Sequence, residues 1–387
     1  MSNDDLYSGR EQTLIKHFIL QKYLERFAYI VGSHWEGLTY VDCFSGPWNA
    51  RSEKFEDSSF AIALKELGKA KDTLAKTRGR NVDLRCFFLE KNATAYAKLK
   101  EFAASVTDAK IETRNARLED SIQNITDFVR RGGPKAFPFI FIDPVGWTGF
   151  EMETITPLLQ LNPGEVLINF MTGHIRRFLE SPQEQTQQSF KRLFGSGSFR
   201  ARVQGLAQLE REDAAVEEYI RNAKLVGGFS LRCSAIVLHP EIDRTHFNLI
   251  YLTRNLKGIE VFKAAEKKAM EMQEAARAEA QQRRRIASKG QSELFGSKDL
   301  HDSSHYESLR ERYLLKARGL VLRALESKHR LLYDDAWVLA LSQPMSWESD
   351  LKQWIDEWRE AERLEVVGMQ PRQRVPHQGQ GNCLIWK

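Results

Sequence analysis

Residues 229–253 read FSLRCSAIVLHPEIDRTHFNLIYLT, two apolar strand-sized runs at 229–238 and 247–253 joined by the short polar connection HPEIDRTH. A connection of that length returns the chain on itself, so the two runs are expected to pair antiparallel. Upstream the rhythm differs. Nearly continuous apolar runs at 38–44, 84–90, 110–114, 139–143 and 166–170 alternate with helix-length patterns at 59–74, 92–106, 118–130 and 151–161. Strands buried on both faces and separated by helices form an open parallel sheet with right-handed crossovers. The expectation is therefore an α/β sheet of five parallel strands that closes with an antiparallel hairpin, after a long helical insert at about 172–223.

Five alternating strands followed by such a hairpin is the layout that resembles class I S-adenosyl-L-methionine-dependent methyltransferases, whose core is Rossmann-like. Typical dinucleotide dehydrogenases close the sheet with parallel strands. No G-x-G-x-x-G follows the first strand, which disfavours a nicotinamide oxidoreductase, and no Gly-Lys-Ser/Thr follows it, which excludes a P-loop.

The rest of the chain divides by composition. Residues 1–35 carry apolar groups at helical spacing (Leu14, Phe18, Ile19, Tyr23, Leu24, Phe27, Ile30), as expected for N-terminal helices. Residues 36–256 hold the Rossmann-like domain. At 257–300 Ala, Glu, Gln, Lys and Arg dominate, and a solvated helical linker is expected. Residues 301–387 resume mixed patterning, with three helices and then two short strands around a Gly, Gln and Arg-rich turn, which suggests a winged-helix-like domain.

Bulk properties bound the function. The chain has 387 residues, enough for two units. Its 57 basic and 52 acidic residues leave a net charge of +5, so any polyanion-binding surface must be local. The four cysteines, Cys43, Cys86, Cys233 and Cys383, are far apart with no C-x-x-C pair. That spacing argues against a disulfide framework or a thiolate zinc site, and a reducing cytoplasm is the expected home. Neither a signal-peptide core nor a run of about 20 apolar residues is present.

The residues expected to carry chemistry lie at strand ends. In YVDCFSGPW (40–48), a buried strand runs into a turn where Asp42, Phe44, Ser45 and Gly46 let backbone amides approach a ligand. D-x-F-x-G also resembles the first methyltransferase motif, in which the acid reaches toward the methionine amino group; a tight structural turn is the plain alternative. FFLEKN places Glu90 where a carboxylate can accept from both vicinal hydroxyls of a ribose. Its long separation from Asp42 implies an inserted loop around 51–57. After the third strand, Asn115 and Ala116 are placed to flank an adenine.

The fourth strand gives PFIFIDPVGW. Asp143, Pro144 and Trp147 resemble the D-P-P-Y/F/W motif of amino-methyltransferases of nucleobases, in which the acid and a following carbonyl accept from the target amine and the aromatic ring stacks on the base. Here Val145 replaces the second Pro and the aromatic lies one position later; a helix-capping Asp with a core Trp is the alternative. At or just past the end of the fifth strand, Asn169 and His174 lie near the same edge, and Arg176 and Arg177 are either phosphate contacts or a solvated helix face; Lys352, Arg372 and Arg374 are candidate phosphate contacts in the tail. Trp337, Trp347, Trp354 and Trp358 fit core packing. No metal site is expected.

Together the E-Q-T-x-x-K-H-x-I-L-x-x-Y-L stretch (11–24), YVDCFSGPW and FIDPVGW resemble the three-Cys-motif partner (TcmP) family of bacterial proteins, through about residue 260. The resemblance implies a methyltransferase-like domain and a phage-related partner whose three-cysteine cluster is similar to that of radical S-adenosylmethionine proteins. The expected function is S-adenosyl-L-methionine-dependent methylation of nucleic acid, at a base amine. The alternative is a non-catalytic methyltransferase-like scaffold or nucleotide sensor.

Overall fold

The computed structural model describes residues 6–46, 50–178, 183–196, 202–289, 296–297 and 301–387, without the side chains of 174, 177, 178 and 289. Its centre is a seven-stranded sheet: β1 (Gly37–Asp42), β2 (Asp83–Glu90), β3 (Lys110–Asn115), β4 (Ala136–Ile142), β5 (Glu165–Phe170), β6 (Leu231–Leu238) and β7 (Thr245–Thr253). The spatial order is β3-β2-β1-β4-β5-β7-β6. The first five strands pair parallel, while β7 inserts antiparallel between β5 and β6. The strand ends expected at Phe44 and Asp143 fall slightly earlier, at Asp42 and Ile142, which leaves Asp143 in the exit loop.

Alternation along the strands sends neighbouring residues to opposite faces. Tyr40, Phe88, Phe139 and Phe141 join one apolar layer, and Val41, Phe87, Ile140 and Ile142 join the other. The first layer is covered by α1 (Glu11–Gly32), α2 (Ser59–Arg78) and α9 (Leu256–Lys289). The second is covered by α4 (Ile122–Arg130), α5 (Met152–Leu159), α7 (Glu184–Phe194) and α8 (Gln208–Gly227), and α3 (Ala93–Ser105) precedes β3. The insert expected at 172–223 is helical, beginning with α6 (Thr172–Phe178).

The helix read as a solvated linker is buried along one face. Ile259, Val261, Phe262, Ala265, Ala269 and Met270 are at most 3% exposed, and α9 packs on α1 and β6. Its composition misleads because alanines allow a close helix-helix approach while the buried charges find partners. Arg277, 1% exposed, pairs with Asp243 and Glu274 and donates to the His239 carbonyl. Lys263 pairs with Glu266.

The C-terminal segment runs α10 (Ser304–Lys328), β8 (Arg330–Leu332), α11 (Tyr333–Leu341), α12 (Glu348–Glu360), β9 (Leu364–Val367) and β10 (Cys383–Trp386). The three strands form an antiparallel sheet in the order β8-β10-β9. Trp337, Trp347, Trp354 and Trp358 are buried, in the same apolar cluster as α1 and α9. Glu266 accepts from the Met345 amide and Lys263 donates to the Gln343 carbonyl, so α9 holds the turn between α11 and α12. Among the described residues no helix is long and apolar enough to cross a membrane.

Candidate functional site

Parallel pairing brings the candidate residues to one edge. Asp42 lies opposite Phe88 on β2 and Phe141 on β4, so Glu90 and Asp143 each project two residues beyond it on its immediate neighbours. Asn115 is in register with Glu90, and Asn169 follows Ile168, which pairs with Ile142. Adjacent strands lie about 4.8 Å apart, so these tips form one continuous row.

At the centre, Asp42 is completely buried. One of its oxygens accepts from Ser59 Oγ at 2.5 Å, the other from the Phe44 amide at 3.1 Å. Burial pushes its carboxyl up to about 6, against the pull of those two bonds, and nearby Asp143 adds to the rise. The expected direct reach toward a ligand is not what this acid does. It ties the first turn of α2 to the loop after β1. Ser45, 1% exposed, clasps the same loop: its hydroxyl donates to the Asp42 carbonyl (2.8 Å) and its amide to the Leu89 carbonyl (2.8 Å). Gly46 follows and is half-buried; Pro47 and Trp48 lie outside the described residues. Phe44 and Ala116 pack on the second apolar layer. The loop expected at 51–57 is pinned by Asp57, which accepts from Arg10 at 2.6 Å and from the amides of Arg51 and Ser52.

On one flank, Glu90 is 8% exposed and its Oε1 accepts from the Asn92 amide at 2.5 Å. Its other oxygen has no hydrogen-bond partner among the described residues. Asn92 caps α3 by accepting from the Ala95 amide, so FFLEKN encodes a strand end and a helix start together. Asn115 donates its side-chain amide to the Glu90 carbonyl (2.8 Å), which steadies the acid, while its Oδ1 makes no hydrogen bond among the described residues.

On the other flank, Asp143 is held from two sides. Lys16 of α1 forms an ion pair with Oδ2, and Asn169 donates to Oδ1 at 2.6 Å. The lysine and aspartate side chains are only 12% and 14% exposed. Asn169 is 2% exposed and its carbonyl oxygen is buried with no partner. Pro144 is buried, Gly146 turns the chain at φ +98°, Val145 is 70% exposed, and Trp147 packs half-buried on Phe190 of α7 with ring centroids 5.5 Å apart. Sequence reasoning misses Lys16 because it sits inside an amphipathic helical pattern. Its signal is polarity: Lys16 and His17 interrupt the apolar stripe of 11–24.

The candidate phosphate contacts separate. Arg176, expected as a phosphate contact or on a solvated helix face, pairs with Glu212 and donates to the Thr245 carbonyl at 2.9 Å, so it braces α6 against α8 and β7. Lys352 pairs with Glu348 one turn away. Arg372 and Arg374 are exposed in the loop between β9 and β10. The side chains of His174 and Arg177 lie outside the described residues. Among the described residues no group of three or more His, Cys, Asp or Glu side chains could hold a metal ion.

Taken with these tips, the strand order and the single antiparallel strand define a methyltransferase-like α/β fold. No family model matches the chain, and no curated protein matches it. Among solved structures, protein LPL1258 from Legionella pneumophila str. Philadelphia 1, of family model DUF519, aligns at a TM-score of 0.39 and 11% identity, over 66% of this chain and 91% of its own. Loganic acid methyltransferase with SAH aligns at 0.32 and 9%, over 74% of this chain and 91% of its own. Both lie below the similarity that bears on function.

Proposed function

We propose that this protein is an S-adenosyl-L-methionine-dependent methyltransferase acting on a base amine of nucleic acid. The observation that carries the reading is the division of the edge into two flanks around the Asp42 to Gly46 loop: an uncommitted carboxylate oxygen at Glu90 on one side, and a braced Asp143 on the other. A ribose presents two vicinal hydroxyls, which suits Glu90. Gly46 remains for the methionine end, since Asp42 and the amides of Phe44 and Ser45 are consumed internally.

When bound, the cofactor supplies an activated methyl group on a sulfonium. The chain then has to orient an acceptor and exclude water, and orientation accounts for much of such a rate enhancement. Lys16 and Asn169 fix the Asp143 carboxylate, so that it and the Pro144 carbonyl can accept from the target amine. Trp147, steadied by Phe190, supplies a ring beside it. We read the C-terminal unit as a winged helix, on its order of helix, strand, two helices and two strands, with Arg372 and Arg374 as phosphate contacts. The phage-related three-cysteine partner belongs to the same proposal and is supported by the YVDCFSGPW and FIDPVGW motifs.

The competing scaffold reading draws on the burial of Asp42 and on the protein's own lysine occupying Asp143. Calorimetry with S-adenosylhomocysteine, joined to a methyl-transfer assay on single-stranded RNA and DNA, separates the two. Binding that is weakened by Glu90→Ala, together with transfer abolished by Asp143→Ala, is expected. Absence of binding leaves only the scaffold.

A further inference from the structure

A cavity lies between α8, the β6–β7 pair, α10 and the turn at 343–344, with a volume of about 370 Å³. That is within the ~300–1,000 Å³ usual for small-molecule sites. Three nearly buried polar side chains line it with capacity to spare. Ser234, 2% exposed, makes no side-chain hydrogen bond among the described residues. Asn248, 6% exposed, donates to Thr172 Oγ1 at 2.6 Å, leaving its carbonyl oxygen unmatched there. Gln343, 6% exposed, has one long contact from its amide, 3.5 Å to Ser342 Oγ. These polar atoms face the cavity and offer both donors and acceptors, as the few convergent polar groups of a ligand pocket do.

Charge narrows the class. Of the cations on the lining, Arg232 is committed to Glu217 and Lys316 to Asp213. Arg323 has no ion-pair partner among the described residues, and a guanidinium in that position matches a phosphate in both geometry and charge. Val216, Leu320 and Pro344 supply apolar wall for a flat ring. We propose that this cavity binds a nucleoside monophosphate, with the base edge at Ser234, Asn248 and Gln343 and the phosphate at Arg323. Because α10 and the 343–344 turn supply part of the lining, occupancy fastens the C-terminal unit to the edge of the main sheet.

The proposal does not depend on the methyltransferase reading. Its test is calorimetry on the full chain with adenosine, guanosine, cytidine and uridine 5′-monophosphates and, separately, inorganic phosphate. At least one nucleotide is expected to bind saturably, at least about tenfold more weakly in Arg323→Ala and in Ser234→Ala, and undiminished in Glu90→Ala, where an adenosine pocket at the strand tips would show itself. Arg323 is exposed, so its removal leaves the core intact. Failure of all four nucleotides to bind overturns the proposal. So does binding lost in Glu90→Ala but kept in Arg323→Ala, or inorganic phosphate binding as tightly as the nucleotides.

Discussion

Lys16, in the first helix, and Asp143, just past the tip of the fourth strand, form a sheltered ion pair across 127 residues of sequence. The pair joins α1 to the edge where Asn169 also holds the acid. Removing one partner of such a pair leaves an uncompensated charge, at a cost of about 3 kcal/mol. Lys16→Met is therefore expected to lower stability by that order, and to reduce methyl transfer on the order of 100-fold through misplacement of Asp143. S-adenosylhomocysteine affinity should hardly change. Full transfer activity in Lys16→Met would make the pair purely structural.

The raised carboxyl of Asp42 gives a pH signature with a definite sign. Its folded value of about 6 lies above the unfolded value near 3.9, so between those limits the native state holds the extra proton. Stability from this group is present below pH 4 and is lost as pH rises through 6, by roughly 3 kcal/mol in all. Glu165 and Glu266, also raised by burial, act in the same direction. The difference between wild type and Asp42→Asn in denaturant midpoints from pH 4 to pH 7 isolates the Asp42 share. A difference that stays constant across that range would contradict the assignment.

Two sets of arginines should behave oppositely. Arg176→Ala breaks a pair with Glu212 and is expected to cost about 3 kcal/mol of stability without altering the salt slope of nucleic-acid binding. Arg372→Ala with Arg374→Ala should leave stability within about 0.5 kcal/mol and flatten that slope by roughly two units. Fluorescence anisotropy at several salt concentrations reads the slopes, and denaturant unfolding reads the stabilities.

Lys263 and Glu266 are 3% and 0% exposed in their side chains and hold the 343–345 turn. Either single change, Lys263→Met or Glu266→Gln, should destabilise by about 3 kcal/mol, whereas the double change should recover part of that loss. Equilibrium unfolding of the four proteins closes the cycle; strictly additive losses would show that the two charges act separately.

Much of the fold was legible because its signals are local. Buried parallel strands are continuous apolar runs, and the crossovers between them are amphipathic, so β1 to β5 and the β6–β7 pair could be placed from pattern alone. Glu90 and Asp143 were legible for the same reason, since a polar residue that ends an apolar run marks a strand tip. What α9 does was not legible. Its Ala, Lys and Glu composition fits both a solvated and a packed helix, and only its packing against α1 and β6 decides between them.

The sequence alone determined the order of elements in the main sheet, the edge on which the acids gather, and the turn that follows the first strand, because each depends on neighbours within a few residues; β8, which the pattern did not show, interrupts the expected run of three helices in the tail. Tertiary structure alone decided what those acids are bonded to. Asp42 meets Ser59, Asp143 meets Lys16 and Asn169, and Arg176 meets Glu212, pairings set by how helices distant in the chain close over the sheet. Charge pairing has no periodicity to read, so it becomes visible only when the chain is folded.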